Sequence, residues 1–300
     1  MYKAHFGLTE VPFGLTPNTQ FYHPLVPHFE ALQVLTTALA AGEGFIKVTG
    51  EVGTGKTLIC RKLLNELGDN YVIAYLPNPY LTPNEIRAAI ASELSIDASL
   101  DQHQLTEALN HRLIALSAAD KQVVLLIDEA QVLPHETLEA LRLISNLETE
   151  SKKLLQVVLF GQPELDTRLQ QDNLRQLRQR ITFSYQLRPL LTNETSSYVE
   201  HRLTVSGYRG APLFEPKALR LLHQASGGIP RLINILAHKC LMLSYGKNVR
   251  NINTKLVKLA IQDTESAMQP RNLHSRADNV AFLWPPRGGW PLRWRCKVSP

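Results

Sequence analysis

Residues Gly50 to Thr57, GEVGTGKT, constrain this chain more than any other stretch. They match the phosphate-binding pattern G-x-x-x-x-G-K-[ST] at every fixed position. The five residues before them, Phe45-Ile46-Lys47-Val48-Thr49, are apolar or β-prone, and Leu58 to Leu67 after them reads as a helix closed by Gly68. Strand, glycine-rich turn and helix start form the context in which this motif grips phosphate. Gly50, Gly53 and Gly55 allow a tight turn, and with Glu51, Val52 and Thr54 they bring main-chain N–H groups towards phosphate oxygens. The helix start adds free N–H groups and a partial positive charge. Lys56 is placed to reach the β- and γ-phosphates, and the Thr57 hydroxyl is suited to Mg²⁺. A nucleoside triphosphate with Mg²⁺ is therefore the expected ligand.

A second acidic element lies some 70 residues further on. Val123 to Ile127 is an all-apolar run, as expected of a strand buried on both faces, and it ends in Asp128-Glu129. The first acid is suited to holding Mg²⁺ through its water shell, and the second to polarising an attacking water.

Around these motifs the periodicity predicts alternating elements. Pro27 to Ala41 reads as a helix, Tyr71 to Leu76 as a strand, and Thr82-Pro83-Asn84-Glu85 as the capped start of a helix to Leu94. Helices are expected over Gln102 to Leu116 and Glu136 to Leu147, helical segments over Glu164 to Gln179, and strands over Leu154 to Phe160 and Ile181 to Leu187. After Arg188-Pro189 only helices are expected: Asn193 to Ser206, Pro216 to Ala225, Arg231 to Ser244 and Thr254 to Met268. The fold class is α/β, with a five-stranded parallel sheet sandwiched by helices and a small all-helical domain behind it. The expected divisions are an extended N-terminal segment (1–27) pinned by its aromatics on the ATPase core, a P-loop domain (28–189), a helical lid (190–268) and a tail (269–300).

Three hundred residues, 44% apolar and 20% charged, suit a globular protein of about two domains. Cys60, Cys240 and Cys296 lie far apart, and the ten histidines show no ligand-like spacing, so they read as surface or packing residues. No apolar run approaches the ~18 residues of a membrane span, and the N-terminus shows no secretory signal. The formal charge of +5 is local. Six basic residues (Arg271, Arg276, Arg287, Arg293, Arg295, Lys297) and one acid, Asp278, fall between Pro270 and Pro300, leaving the rest neutral. That tail also holds Trp284, Trp290 and Trp294, and its abrupt change of composition reads as disorder rather than an anchor. A neutral body makes no strong case for nucleic acid, although Arg168, Arg175, Arg178, Arg180 and Arg188 form a basic run.

In this order a phosphate loop, an Asp-Glu after the third strand and a helical lid resemble AAA+ ATPases. The resemblance implies further roles. Arg231, in Gly227-Gly228-Ile229-Pro230-Arg231, would contact the γ-phosphate from the lid. Arg180, with Arg178 as runner-up, would act in trans as the arginine finger of a neighbour's site. Gln162, in FGQPEL, would take the first-sensor position, where that superfamily more often has asparagine, serine or threonine. FGLTEVPFGLTPNTQFYHP, GEVGTGKT, LLIDEAQ, LFGQPEL, LRQRI and GGIPRLIN together are similar to the ExeA/GspA secretion-ATPase family over about residues 1 to 268, and most of all to its member for MSHA pilus biogenesis, whose ATPase module has no following membrane span or peptidoglycan-binding domain. The resemblance implies a homo-oligomeric, Mg²⁺-dependent ATP hydrolase. It would lie in the cytoplasm or peripherally at a bacterial inner membrane, and its partners would be pilus or secretion-machine proteins. A DNA-transaction AAA+ ATPase and a non-hydrolysing ATP switch are the alternatives.

Overall fold

The computed structural model describes residues 2–77, 79–147 and 153–269. Helix α1 (Tyr2–Phe6) precedes α2 (Val26–Ala40), and then β1 (Phe45–Gly50), α3 (Lys56–Glu66), β2 (Tyr71–Leu76), α4 (Pro83–Glu93), α5 (Gln102–Ala118) and β3 (Gln122–Ile127) follow. Next come α6 (His135–Ile144), β4 (Leu155–Gly161), α7 (Pro163–Leu169), α8 (Arg175–Arg180) and β5 (Ile181–Leu187). The helical part comprises α9 (Thr192–Val205), α10 (Pro216–Ser226), α11 (Pro230–Gly246) and α12 (Thr254–Gln262).

All five strands are parallel, in the order β2-β3-β4-β1-β5. Strand β3 shows why its sequence is apolar without alternation. Val123, Leu125 and Ile127 enter the core under α4, α5 and α6, while Val124 and Leu126 enter the opposite core with α2 and α3. Both faces are covered, so no position is left for a polar side chain. Edge strand β5 alternates between half-buried and exposed residues instead. The expected capping box at α4 forms: Thr82 Oγ1 accepts from the Glu85 N–H, and Glu85 Oε2 accepts from the Thr82 N–H.

The helical segments expected over Glu164 to Gln179 form as α7 and α8, with Gln170-Gln171-Asp172-Asn173 turning between them, where Asp and Asn compete for main-chain hydrogen bonds. The placement of the N-terminal segment is corrected. The first 27 residues do not lie extended on the ATPase core. Tyr2 and Phe6, one helical turn apart in α1, join Leu8, Phe13 and Leu25 in the core of the helical part. Tyr2 Oη lies 2.9 Å from His238 Nδ1, and Arg202 Nε donates to Pro12 O at 2.6 Å. Only the end of the segment reaches the sheet side, through Tyr22 and through Arg61 Nη1 donating to Pro17 O. Helix α12 also ends at Gln262, short of the expected Met268. The Trp- and Arg-rich stretch after Gln269 lies outside the described residues.

The join between sheet and helical part is tight. The Arg188 guanidinium, just past β5, makes a two-pronged ion pair with Glu194 of α9 at 2.8 and 2.9 Å. Leu190 N–H donates to Gly228 O at 2.9 Å. Gly228 has φ +73°, and a Cβ there would stand 2.1 Å from Leu190 O, a main-chain atom that cannot swing aside. Gly228→Ala is therefore expected to cost about 2 kcal/mol or more in denaturant unfolding, from left-handed strain and this overlap. Gly68→Ala, with open space around its Cβ, is expected to change stability by no more than about 0.5 kcal/mol. Equal effects would contradict the account.

Candidate functional site

The parallel register gathers the site at one edge of the sheet. Thr49 of β1 pairs with Gly161 of β4, and Ile127 of β3 pairs with Leu159. The loop after β1, the acids after β3 and Gln162 after β4 therefore emerge side by side. This is the carboxyl edge, where open parallel sheets hold their ligands.

The loop has the shape the glycines were expected to permit. Gly53 and Gly55 take φ of +83° and +106°. Gly55 caps α3 with no side-chain hydrogen bond, so the N-terminal N–H groups of that helix face outward without a capping side chain. Lys56 folds over the loop, donating to Gly50 O at 2.8 Å and Glu51 O at 3.1 Å. Burial lowers its pKa, and the nearby carboxylates of Glu129 and Asp128 oppose that shift. Both carbonyl contacts are exchangeable for phosphate oxygens, which suit an ammonium group better.

Thr57 Oγ1 donates to Asp128 Oδ2 at 2.7 Å, so loop and strand end meet directly. Asp128 is 3% exposed, and burial raises its pKa against the hydrogen bonds from Thr57 and the Glu129 N–H. A hydroxyl and a buried carboxylate at one point are a hard-oxygen donor pair of the kind Mg²⁺ takes, leaving room for its waters and phosphate oxygens. Glu129 has φ +54°, a left-handed conformation that a non-glycine residue adopts at some cost. Its Oε2 accepts from Gln131 Nε2 at 2.6 Å and from Gln162 Nε2 at 3.0 Å. Burial pushes the Glu129 pKa up, but these two amides and the Lys56 charge outweigh it and hold the carboxyl below its ordinary range. Gln162 opens α7, which is tied to the sheet where Asp166 accepts from Thr49 Oγ1 at 2.9 Å and pairs with Lys47.

The helical part closes on the loop. Arg231 N–H, at the start of α11, donates to Gly53 O at 3.1 Å, and a Cβ on Gly53 would meet Arg231 Cβ at 2.5 Å. Arg231 thus stands beside the phosphate loop. Arg180 and Arg178 do not. Ile181 pairs with Phe45, so Arg180 sits at the start of the β1–β5 pair, and Gly50 lies a strand length away, roughly 16 Å at ~3.3 Å per residue. Arg178 donates to Gln170 O near the far end of α7. Three of the five arginines in the basic run are engaged within the chain: Arg178 by the Gln170 carbonyl, Arg188 by Glu194, and Arg168 by the carbonyls of Gln131 and Leu133.

Two residues escaped the sequence reading. His28, taken with the other histidines as surface or packing, is 4% exposed and donates from Nε2 to Thr54 O at 2.9 Å, directly behind Gly55. Its burial lowers its pKa and keeps it neutral. Nothing local in the sequence signals a contact between residues 26 positions apart. Gln131 stood in LLIDEAQ, but its position two residues past Glu129 says nothing of the direction it faces.

Residues 39–169 match a family model described as an AAA domain. Over 254 residues, 84% of the chain, the sequence is 46% identical to general secretion pathway protein A of Aeromonas hydrophila. The match covers 46% of that protein, so the chain spans about half the length of this curated relative. Among solved structures, the ORC2 protein of Aeropyrum pernix is similar with a TM-score of 0.61 at 16% identity, over 87% of this chain and 75% of that one. The RuvB Holliday junction branch migration motor of Thermotoga maritima gives 0.53 at 19% identity, over 82% and 72%. At these identities the likeness concerns the fold. By its P-loop fold, its AAA domain over residues 39–169 and its 46% identity over 254 residues, the chain is an AAA-domain homologue of general secretion pathway protein A, consistent with the ExeA/GspA family that its motifs resemble.

Proposed function

We propose that the chain binds ATP with Mg²⁺ and hydrolyses it as a homo-oligomer, to drive or regulate assembly of an MSHA-type pilus or a type II secretion machine at the bacterial inner membrane. The observation that carries the catalytic part is the 2.7 Å bond between Thr57 and Asp128, which brings the phosphate loop and the acid-tipped strand into one site with Glu129 next in the chain. The main-chain N–H groups of residues 50–57 bind the phosphates, and Lys56 leaves its carbonyl partners for them. Thr57 and Asp128 would hold Mg²⁺, which when bound offsets phosphate charge. Glu129 takes the proton of the attacking water, with its carboxyl kept ionised for that task. Gln162 orients Glu129, Arg231 contacts the γ-phosphate from the lid, and Arg180 of a neighbouring subunit stabilises charge on the transferring group. The secretion or pilus setting is supported by the identity to general secretion pathway protein A. Among the described residues no helix is long and apolar enough to cross a membrane.

Phosphate release measured across protein concentration tests the reading. The specific rate is expected to rise with concentration and then level off as subunits assemble. ATP binding without release at any concentration would leave a nucleotide switch instead.

A further inference from the structure

Glu129 cannot aim itself. Its main chain is already in a strained, left-handed conformation, and a glutamate side chain has three rotatable bonds. Its position depends on what holds the carboxylate. Two amides converge on the same oxygen, Oε2: Gln131 Nε2 at 2.6 Å and Gln162 Nε2 at 3.0 Å. Gln131 does more than Gln162, because both ends of its amide are used. Its Oε1 accepts from the Gln162 main-chain N–H at 3.0 Å, closing a ring through Glu129, Gln131 and Gln162. The Gln131 main chain is itself held, since Arg168 donates to Gln131 O and, through its other nitrogen, to Leu133 O. Gly161 leaves the room this requires, since a Cβ there would come within 3.3 Å of Gln131 Oε1.

We propose that Gln131 is the positioning residue for Glu129, holding its carboxylate against the start of α7 whether or not Gln162 stays bound to it. The proposal rests on the hydrolysis reading above. The two amides have different fates. Gln162, just past the end of β4, would lose its bond to Glu129 if it turned towards a phosphate oxygen. Gln131 bridges the carboxylate to a main-chain N–H and keeps its bonds. Its hydrogen bonds run to Glu129, the Gln162 main chain and Arg168 rather than to the phosphate loop, so its loss should show in turnover and not in nucleotide affinity.

The test uses the full chain, with steady-state phosphate release and, separately, titration with a non-hydrolysable ATP analogue. Gln131→Ala, and Gln131→Met as a variant of similar volume that keeps the space filled, are expected to lower kcat by about ten- to a hundredfold, the range for losing a group that orients another. KM and analogue affinity should stay within about twofold. In a Glu129→Gln background, adding Gln131→Ala should cost less than about twofold more, since residues that act as one unit are not additive. A purely structural role would give the opposite pattern: weaker analogue binding, and a similar loss of rate in both backgrounds. That result overturns the proposal, as does wild-type turnover in both Gln131 variants while Glu129→Gln is slow. If the wild type itself releases no phosphate, the hydrolysis reading falls and takes this proposal with it, which tells the two failures apart.

Discussion

Glu129→Gln is expected to bind ATP as the parent does and to hydrolyse it at least about a hundredfold more slowly, the loss that follows removal of a general base. The substitution keeps the length and shape of the side chain, and it leaves Thr57, Asp128 and Lys56 in place. It removes the negative charge and the proton acceptor. An amide oxygen at the former Oε2 still accepts from Gln131 and Gln162, so the ring around α7 is expected to survive, and with it the fold. The comparison to make is single-turnover hydrolysis against equilibrium binding of ATP. Full turnover in the variant would remove Glu129 from its proposed role. Loss of binding would mean that the substitution disturbs the loop through the nearby Lys56, whose charge opposes that of Glu129.

Arg180→Ala is expected to lower turnover by about a thousandfold or more while ATP binding persists, the magnitude reported by arginine fingers in other phosphoryl-transfer enzymes. The sheet register makes the expectation specific. Arg180 lies at the start of the strand pair whose other end carries the phosphate loop, so it stands a strand length from the site of its own subunit. Neither flexing of its side chain nor a rotamer change spans that gap. It can serve a phosphate only in an adjoining copy. Mixing Arg180→Ala with Lys56→Ala is therefore expected to restore part of the activity, since the first variant keeps an intact loop and the second an intact arginine. No rescue, together with a rate per subunit independent of concentration, would place the arginine outside the reaction.

How far the sequence carried the reading depended on how local each signal was. The glycines of the phosphate loop and the apolar run of β3 are local statements of backbone freedom and burial, and both elements form where expected. The Thr82–Glu85 cap is equally local and forms as read. The N-terminal segment was misplaced because its aromatics announce burial and not the partner. Tyr2 and Phe6 found the helical part, some 200 residues away in sequence, rather than the nearby sheet.

The sequence alone determined that this chain has a phosphate loop, an acidic strand end and a helical part behind a parallel sheet, because each of these is written in the spacing of neighbouring residues. Only the tertiary structure decided what those parts touch. The parallel register brings Thr57 to Asp128 and Gln162 to Glu129, the helical part sets Arg231 against Gly53, and α2 sets His28 behind Thr54. The same register carries Arg180 away from its own loop. Contacts between residues tens or hundreds of positions apart depend on how whole elements pack, and no spacing within one element encodes them.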